Sequence, residues 1–274
     1  MLAAEKYNAL LARIEDLGSL LVAYSGGIDS TLLAFSAHAV LGPNCKAVLA
    51  TSDTYPLSEV EEARALARQL GLHLIEVETY ELADPRFAAN PPDRCYYCKT
   101  ELFTLLAHVA EVQGLEHVAD GSNADDLADF RPGARAAAES NVVSPLQDVG
   151  MTKTEIRQIA KELSLPNWNK PSMACLASRF PYGQPIDEAA LERVRRAESR
   201  VRDLGLSQFR VRAHGDVARL EVEPAEMERA WGMRGEIAEA VRQEGFAWVA
   251  QDLDGYRTGS MNETLSGDDR ASAE

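Results

Sequence analysis

The residues best equipped for chemistry in this chain lie in one short run, Tyr24-Ser25-Gly26-Gly27-Ile28-Asp29-Ser30-Thr31. It follows an apolar segment, Leu20-Leu21-Val22-Ala23, and leads into a helical pattern. Glycines let the backbone come close to an anion, and the N–H groups and dipole of a helix start favour phosphate there. Ser25, Ser30 and Thr31 add hydroxyl donors, and Asp29 can hold a divalent cation against phosphate oxygens. No Gly-Lys-Ser/Thr is present, so this is not the Walker loop of ordinary nucleotide hydrolases. A bare glycine pair reads as a turn between core elements. The full Ser-Gly-Gly-x-Asp-Ser in a strand-loop-helix context points to nucleotide phosphate.

The cysteines are the second group. Cys95-Tyr96-Tyr97-Cys98 is a CxxC, which by itself can share a metal, form a redox disulfide or pack in a core. It follows Asn90-Pro91-Pro92-Asp93-Arg94 and opens a helix, an exposed bend where a helix N-terminus stabilises thiolates, and this favours metal. The second CxxC of a structural zinc site is missing. Cys175 stands alone in Ser172-Met173-Ala174-Cys175-Leu176-Ala177-Ser178-Arg179-Phe180-Pro181-Tyr182-Gly183. Cys45, after Gly42-Pro43-Asn44, reads as a packing residue.

Charged candidates complete the set. Lys153 lies one residue into a capped helix and can neutralise a transferring phosphate; the alternative is a solvated helix-start lysine. Arg210 and Arg212 are two apart on a strand and leave the same face, while Phe209 and Val211 point to the core. Arg219 on the paired strand can join that face. Three arginines in one hairpin of an acidic protein point to an anion pocket, although Glu221 on the same face also suits a solvated sheet. Asp125, Asp126 and Asp129 can bind metal or equally cap a helix start.

The elements that must position these groups alternate. Short apolar strands at 19–24, 46–51, 73–78 and 117–120 and intervening amphipathic helices predict an α/β fold with a Rossmann-like parallel sheet covered on both faces. One helix is expected at 58–70, with Ser58 and Glu61 at capping-box spacing and Gly71 as its C-terminal cap. Others are expected at 98–113, stopped by Gly114, and at 152–163, opened by Thr152 and Glu155. Ligands of open α/β sheets sit beyond the carboxyl ends of the strands. The glycine loop, Ser52-Asp53 and Gly121-Ser122-Asn123 all fall there, which predicts one nucleotide pocket. The aperiodic stretch 167–184 reads as a functional loop or hinge. Beyond it come a helix (187–204), strands (208–213 and 217–222) turning at His214-Gly215-Asp216, a helix (236–244) and a strand (246–253). The expected organisation is a nucleotide domain at 1–166, the cysteine loop at 167–184, a small α+β domain at 185–265 and a frayed tail at 266–274.

The chain has 274 residues and is 46% hydrophobic, enough to bury a core in each of two domains. No apolar run approaches the ~18 residues of a membrane span. Residues 1–17 form an amphipathic pattern (Leu10, Ile14, Leu17) without a signal-peptide core, so a soluble cytoplasmic protein is expected. Four cysteines in such a chain are poor evidence for disulfides. The net charge of −15 opposes attraction to nucleic acid or anionic membranes and favours a small-molecule substrate.

The 25–30 loop is similar to the PP-loop of ATP pyrophosphatases, which cleave ATP between the α- and β-phosphates to adenylate a substrate oxygen. In order along the chain come that loop, Asp120-Gly121-Ser122-Asn123, Phe130-Arg131-Pro132-Gly133, Thr152-Lys153-Thr154-Glu155-Ile156-Arg157, Cys175-x-x-Ser178-Arg179-x-Pro181-Tyr182-Gly183, Phe209-Arg210-Val211-Arg212 and Gly255-Tyr256-Arg257-x-Gly259. Together they resemble the LarE family over nearly the whole chain, and the Cys175 loop is the most specific part. The resemblance implies a PP-loop ATP pyrophosphatase domain and an ATP-dependent sulfur transferase. Its implied substrate is pyridinium-3,5-biscarboxylic acid mononucleotide, adenylated and converted to thiocarboxylates for the nickel-pincer nucleotide of lactate racemase.

By the same resemblance ATP is held by Ala23, Ser25, Gly26, Gly27, Asp29, Ser30, Ser52 and Gly121, with Mg²⁺ on Asp29. Catalysis falls to Cys175, Asp29 and Lys153, and substrate phosphate to Arg210 and Arg212. In one subtype the lone cysteine surrenders its own sulfur and becomes dehydroalanine. Here Cys95 and Cys98 add two thiolates to Cys175, and three suit a [4Fe–4S] cluster with one iron free to hold exogenous sulfide. The cluster is the preferred expectation and sacrificial Cys175 the alternative. Expected partners are the small nucleotide substrate, sulfide or a cysteine desulfurase, and further copies of the chain, without membrane or nucleic acid. The rivals fit less well: tRNA thiolation should bring a basic RNA-binding module, amide-forming synthetases do not need the Cys175 loop, and a non-catalytic nucleotide-binding module needs no cysteine triad.

Overall fold

The computed structural model describes residues 2–128, 131–171, 174–257 and 259–266. The motif residues Asp129, Phe130, Ser172 and Met173 lie outside it, as does the expected tail beyond Ser266. The chain divides into two compact units, Met1–Glu81 with Asp93–Met173, and Leu82–Pro92 with Ala174–Ala273. The short segment Leu82–Pro92 thus clusters with the C-terminal residues rather than with its neighbours in sequence.

The first unit opens with α1 (Ala3–Leu17), which buries Leu10, Ile14 and Leu17, the expected apolar stripe. There follow β1 (Leu20–Tyr24), α2 (Ile28–Leu41), β2 (Cys45–Thr51), α3 (Leu57–Gln69) and β3 (Leu74–Glu78). The short α4 (Pro85–Ala88) belongs to the other unit. The first resumes with α5 (Arg94–Gln113), β4 (His117–Ala119), α6 (Pro132–Glu139), α7 (Pro145–Asp148) and α8 (Lys153–Glu162). Its sheet has the order β3-β2-β1-β4, every pair parallel, so this is an α/β fold with a four-stranded parallel sheet.

Strand β1 lies inside the sheet, and its side chains divide between two cores. Leu20, Val22 and Tyr24 pack with Leu32, Leu33, Ile156 and Ile159. Leu21 packs on the opposite face with Leu102, Phe103 and Leu106. Burial on both faces is why β1 reads as a continuous apolar run rather than an alternating one.

Two helix starts differ from the sequence reading. Helix α3 begins at Leu57 with Pro56 before it, so Ser58 lies inside the first turn rather than at the cap. Pro56, at φ −61°, presets the entry to the helix one residue early. Helix α5 begins at Arg94 rather than near Cys98, after a turn at Pro92-Asp93, with Tyr96 N–H donating to Asp93 O (2.8 Å). At α8 the expected capping box is formed: Thr152 N–H donates to Glu155 Oε2 (2.8 Å) and Glu155 N–H to Thr152 Oγ1 (3.4 Å).

The second unit contains α9 (Glu188–Asp203), β5 (Phe209–His214), β6 (Val217–Val222), α10 (Met227–Gly232), α11 (Arg234–Gln243) and β7 (Trp248–Gln251). Its sheet runs β5-β6-β7, antiparallel and then parallel. The β5–β6 turn passes through Gly215 at φ +62°, a conformation that favours glycine. Helix α9 packs on α11 and on β5. Among the described residues no helix is long and apolar enough to cross a membrane.

Candidate active site

Strand β1 ends in a loop whose shape depends on its own side chains. Ser25 N–H donates to Ser30 Oγ (3.1 Å), Gly27 N–H to Ser25 Oγ (3.3 Å) and Ser30 Oγ to Gly27 O (3.1 Å). Gly26 takes φ +71° and lies so close to α3 that a Cβ there would meet Ala63 Cβ at 2.7 Å. Gly121, after β4, approaches from another side: a Cβ on it would stand 2.9 Å from Ser30 N. Ser30 is in the first turn of α2, where N–H groups lack partners within the helix. Gly26 thereby lets the loop pack on α3 and Gly121 lets the β4 loop approach the start of α2, whose first-turn N–H groups form the cradle that a phosphate needs. Ala23, half-buried near the end of β1, faces the α5 core.

Asn167 holds this loop from outside. Its Nδ2 donates to Gly26 O and to Thr31 Oγ1, both at 3.0 Å, while its buried Oδ1 has no partner. Sequence reasoning missed this residue, because nothing local to Pro166-Asn167 reveals a contact 141 positions away.

Asp29 and Lys153 form an ion pair across 124 residues of sequence. The other Asp29 oxygen lies 3.5 Å from Asn123 Nδ2. Lys153 is fixed at its root, its N–H donating to Asp125 Oδ2 (2.8 Å). Asp126 accepts from Asn123 N–H (2.9 Å) and pairs with Arg131 at 2.6 Å. Burial holds the Asp126 carboxyl above its ordinary value, with the Asp29 charge adding to the rise. Asp125 thus accepts from the first N–H of α8, 28 residues away, and Asp126 braces its own loop. Asp29 remains the carboxylate beside the cradle, a hard oxygen donor suited to Mg²⁺.

At the end of β2, Ser52 Oγ donates to Glu81 Oε1 (2.7 Å), as does Thr54 Oγ1 (2.5 Å). Glu81 is 2% exposed and its Oε2 has no partner. The sequence reading placed Ser52 at the nucleotide but overlooked the carboxylate that orients its hydroxyl.

Cys95 and Cys98 occupy the first turns of α5, three residues apart and so on one face. Cys95 is exposed and Cys98 half-buried. In donor type and spacing this pair fits two ligands of one iron–sulfur cluster. Among the described residues no group of three or more His, Cys, Asp or Glu is arranged to hold a metal ion. Burial pushes the Cys45 thiol up to about 12, in keeping with a packing role.

In the second unit the half-buried Cys175 precedes a short turn, Leu176–Arg179. Arg179, fully buried, donates from Nη1 to the carbonyls of Ala174 (2.8 Å) and Cys175 (3.1 Å). Its Nε and Nη2 grip both Glu198 oxygens at 2.8 and 2.9 Å. Burial opposes the Arg179 charge, but the Glu198 carboxylate outweighs it and holds the guanidinium pKa above its ordinary value. A signal for Glu198 existed in the sequence: it is an acid among Leu191, Val194, Ala197 and Val201 on the buried side of α9.

The arginine face of β5 has the expected membership, with Arg210 opposite Glu221 and Arg212 opposite Arg219. It is not a solvated sheet surface, for Arg210 and Arg212 are 3% and 5% exposed. Arg212 donates to Glu221 Oε2 (2.6 Å), Ser260 Oγ (3.1 Å) and Ser178 O (2.8 Å), while its buried Nε has no partner. Arg210 stacks on the Tyr256 ring at 4.9 Å. Burial, reinforced by the positive charge of Arg179, holds the Arg210 guanidinium below its ordinary value. The unpartnered Arg212 Nε is a buried donor that a bound anion would satisfy.

The chain is 44% identical to the uncharacterized protein slr1717 of Synechocystis, over 92% of this chain and 94% of that one. It is 38% identical to the pyridinium-3,5-bisthiocarboxylic acid mononucleotide synthase of Lactiplantibacillus plantarum, over 96% of each. A weaker likeness, 26% over 60% of this chain and 54% of the relative, extends to one of the subunits of the glutamine-hydrolysing GMP synthase of Methanopyrus kandleri. No protein-family model matches.

Proposed function

The chain belongs to the LarE family of pyridinium-3,5-bisthiocarboxylic acid mononucleotide synthases, and from that premise we propose that it is an ATP-dependent sulfur transferase acting on the biscarboxylic precursor of that nucleotide. The observation that carries the reading is the phosphate cradle beside Asp29 and Lys153, in a chain related to the synthase over 96% of its length. The likeness to GMP synthase supports ATP use and a PP-loop fold.

A carboxylate is a poor electrophile because its oxygen leaves badly. Attack of that oxygen on the α-phosphorus of ATP expels pyrophosphate and makes AMP the leaving group. A sulfur nucleophile then attacks the acyl carbon, AMP departs and a thiocarboxylate remains. The Gly26, Gly27 and Ser30 backbone would cradle the phosphates and Ser25 would donate to them. Ala23 and Gly121 would border the nucleotide, and Ser52 would meet it at the end of β2. Asp29 would bind Mg²⁺, and Lys153 would stabilise charge on the departing pyrophosphate. Arg210 and Arg212 would take the substrate phosphate, a role supported by the unpartnered Arg212 Nε.

For sulfur delivery we favour the thiols of Cys95, Cys98 and Cys175 as ligands of a [4Fe–4S] cluster. When bound, such a cluster supplies an iron that can carry inorganic sulfide. The alternative is direct donation by Cys175. Its backbone, pinned by Arg179 and by Ser178 Oγ (2.8 Å), suits either role.

The test incubates the protein with ATP, Mg²⁺, sulfide and the pyridinium biscarboxylate nucleotide. AMP, pyrophosphate and a product with the mass gain of oxygen-to-sulfur exchange are expected, and Asp29→Asn should suppress all three. ADP and orthophosphate as products would refute the reading, and thiolation of bulk tRNA in place of the nucleotide would redirect it.

A further inference from the structure

We propose that Lys153 occupies the divalent-cation position of the nucleotide-free protein, so that Mg²⁺ enters only when nucleotide phosphate draws the ammonium away from Asp29. The inference rests on the reading of Asp29 as a metal ligand and adds an order of events to it.

Both Asp29 oxygens already face nitrogen donors. Lys153 Nζ bonds Oδ2, and Asn123 Nδ2 lies 3.5 Å from Oδ1. A hard cation that takes the Oδ2 position must displace the ammonium that holds it. Lys153 is built for such a displacement, because its two ends are held differently. The backbone end is fixed by the Asp125 hydrogen bond and the Thr152–Glu155 box at the start of α8. The ammonium rides on a flexible four-carbon stem, with its side chain 28% exposed. Nothing but Asp29 holds the Nζ end among the described ion pairs.

Electrostatics favours exchange over simple loss of the ammonium. Asp126 lies near enough to Asp29 for that charge to raise its proton affinity, while Arg131, paired with Asp126 at 2.6 Å, and then Lys153 lower it. Removing the ammonium without replacement would leave Asp29 without a cationic partner among the described ion pairs. Nucleotide solves both problems together: its phosphates give Lys153 a new anionic partner, and they supply oxygen ligands for Mg²⁺. Mg²⁺ usually binds through one or two carboxylates together with substrate phosphates, keeping several waters. The protein would thus bind the Mg²⁺–nucleotide complex while rejecting the free ion. If Asp29 is unpaired in about one molecule in ten, the apparent affinity for free metal falls about tenfold.

The experiment measures Mn²⁺ binding by electron paramagnetic resonance, on the full chain, with and without a non-hydrolysable ATP analogue. Wild type should bind Mn²⁺ weakly alone and tightly with the analogue. Lys153→Met should bind Mn²⁺ alone about tenfold more tightly than wild type, and adding Asp29→Asn should abolish that gain. Lys153→Gln serves as a second variant if methionine disturbs folding. Wild type that binds free Mn²⁺ as tightly as both lysine variants would overturn the exchange while leaving Asp29 as a ligand. Mn²⁺ binding with the analogue that is untouched by Asp29→Asn would instead refute the ligand reading itself.

Discussion

Gly26→Ala is the substitution whose cost the structure specifies most closely. Two separate penalties apply. The residue sits at φ +71°, where an L side chain is strained by roughly 1–2 kcal/mol. Its new Cβ would also lie 2.7 Å from Ala63 Cβ and 3.0 Å from Ala63 Cα. Forcing a carbon into so tight a contact costs about 1–3 kcal/mol. The single variant should therefore lose roughly 2–5 kcal/mol of stability in the nucleotide unit. Its loop should also be pushed off the cradle, weakening ATP binding.

Ala63→Gly isolates the second penalty. Alone it costs about 1 kcal/mol, as glycine does inside a helix such as α3. Combined with Gly26→Ala it removes the 2.7 Å contact but not the 3.0 Å approach to Cα, so the rescue should be partial. The coupling expected from a double-mutant cycle is about 1–2 kcal/mol in favour of the double variant. Urea unfolding of the four proteins gives the stabilities, and titration with ATP gives the binding. Strict additivity, or full ATP affinity in Gly26→Ala, would refute the packing of this loop against α3.

Three further outcomes are expected. Arg210→Ala and Arg212→Ala should each weaken substrate binding by about 1.5–3 kcal/mol, the worth of a charge-assisted contact, while ATP binding measured by titration stays constant. Replacing any of Cys95, Cys98 or Cys175 by Ala should bleach anaerobically reconstituted protein and stop sulfur transfer, whereas Cys45→Ala should do neither; colourless active protein whose chain loses the mass of H₂S at Cys175 would establish the sacrificial route instead. Burial alone would raise the Glu198 pKa, but Arg179 lowers it below the ordinary 4.5. The stabilisation is therefore present above that value and lost as pH falls through the lower folded one. Acid titration of unfolding should show this loss in wild type and a flatter profile in Glu198→Gln, and identical profiles would exclude the linkage.

What could be read from the chain is what depends on neighbours in sequence. The 25–30 loop announces itself because strand, glycines, acid and helix start are contiguous, and backbone chemistry there is local. The Thr152–Glu155 box and the Leu10, Ile14 and Leu17 stripe are legible for the same reason, spaced by the geometry of a helical turn. Alternation also placed Arg210, Arg212 and Arg219 on one face. Whether that face meets water is not a property of the strand. Segments far along the chain bury it, with Ser178 and Ser260 taking hydrogen bonds from Arg212. Likewise Gly26 needs to be glycine partly because of Ala63, and Asp29 finds Lys153 across 124 positions. The last two contacts arise only when helices α2, α3 and α8 pack with β1 in one core. Their energies depend on distance and burial in space, which composition and spacing do not encode.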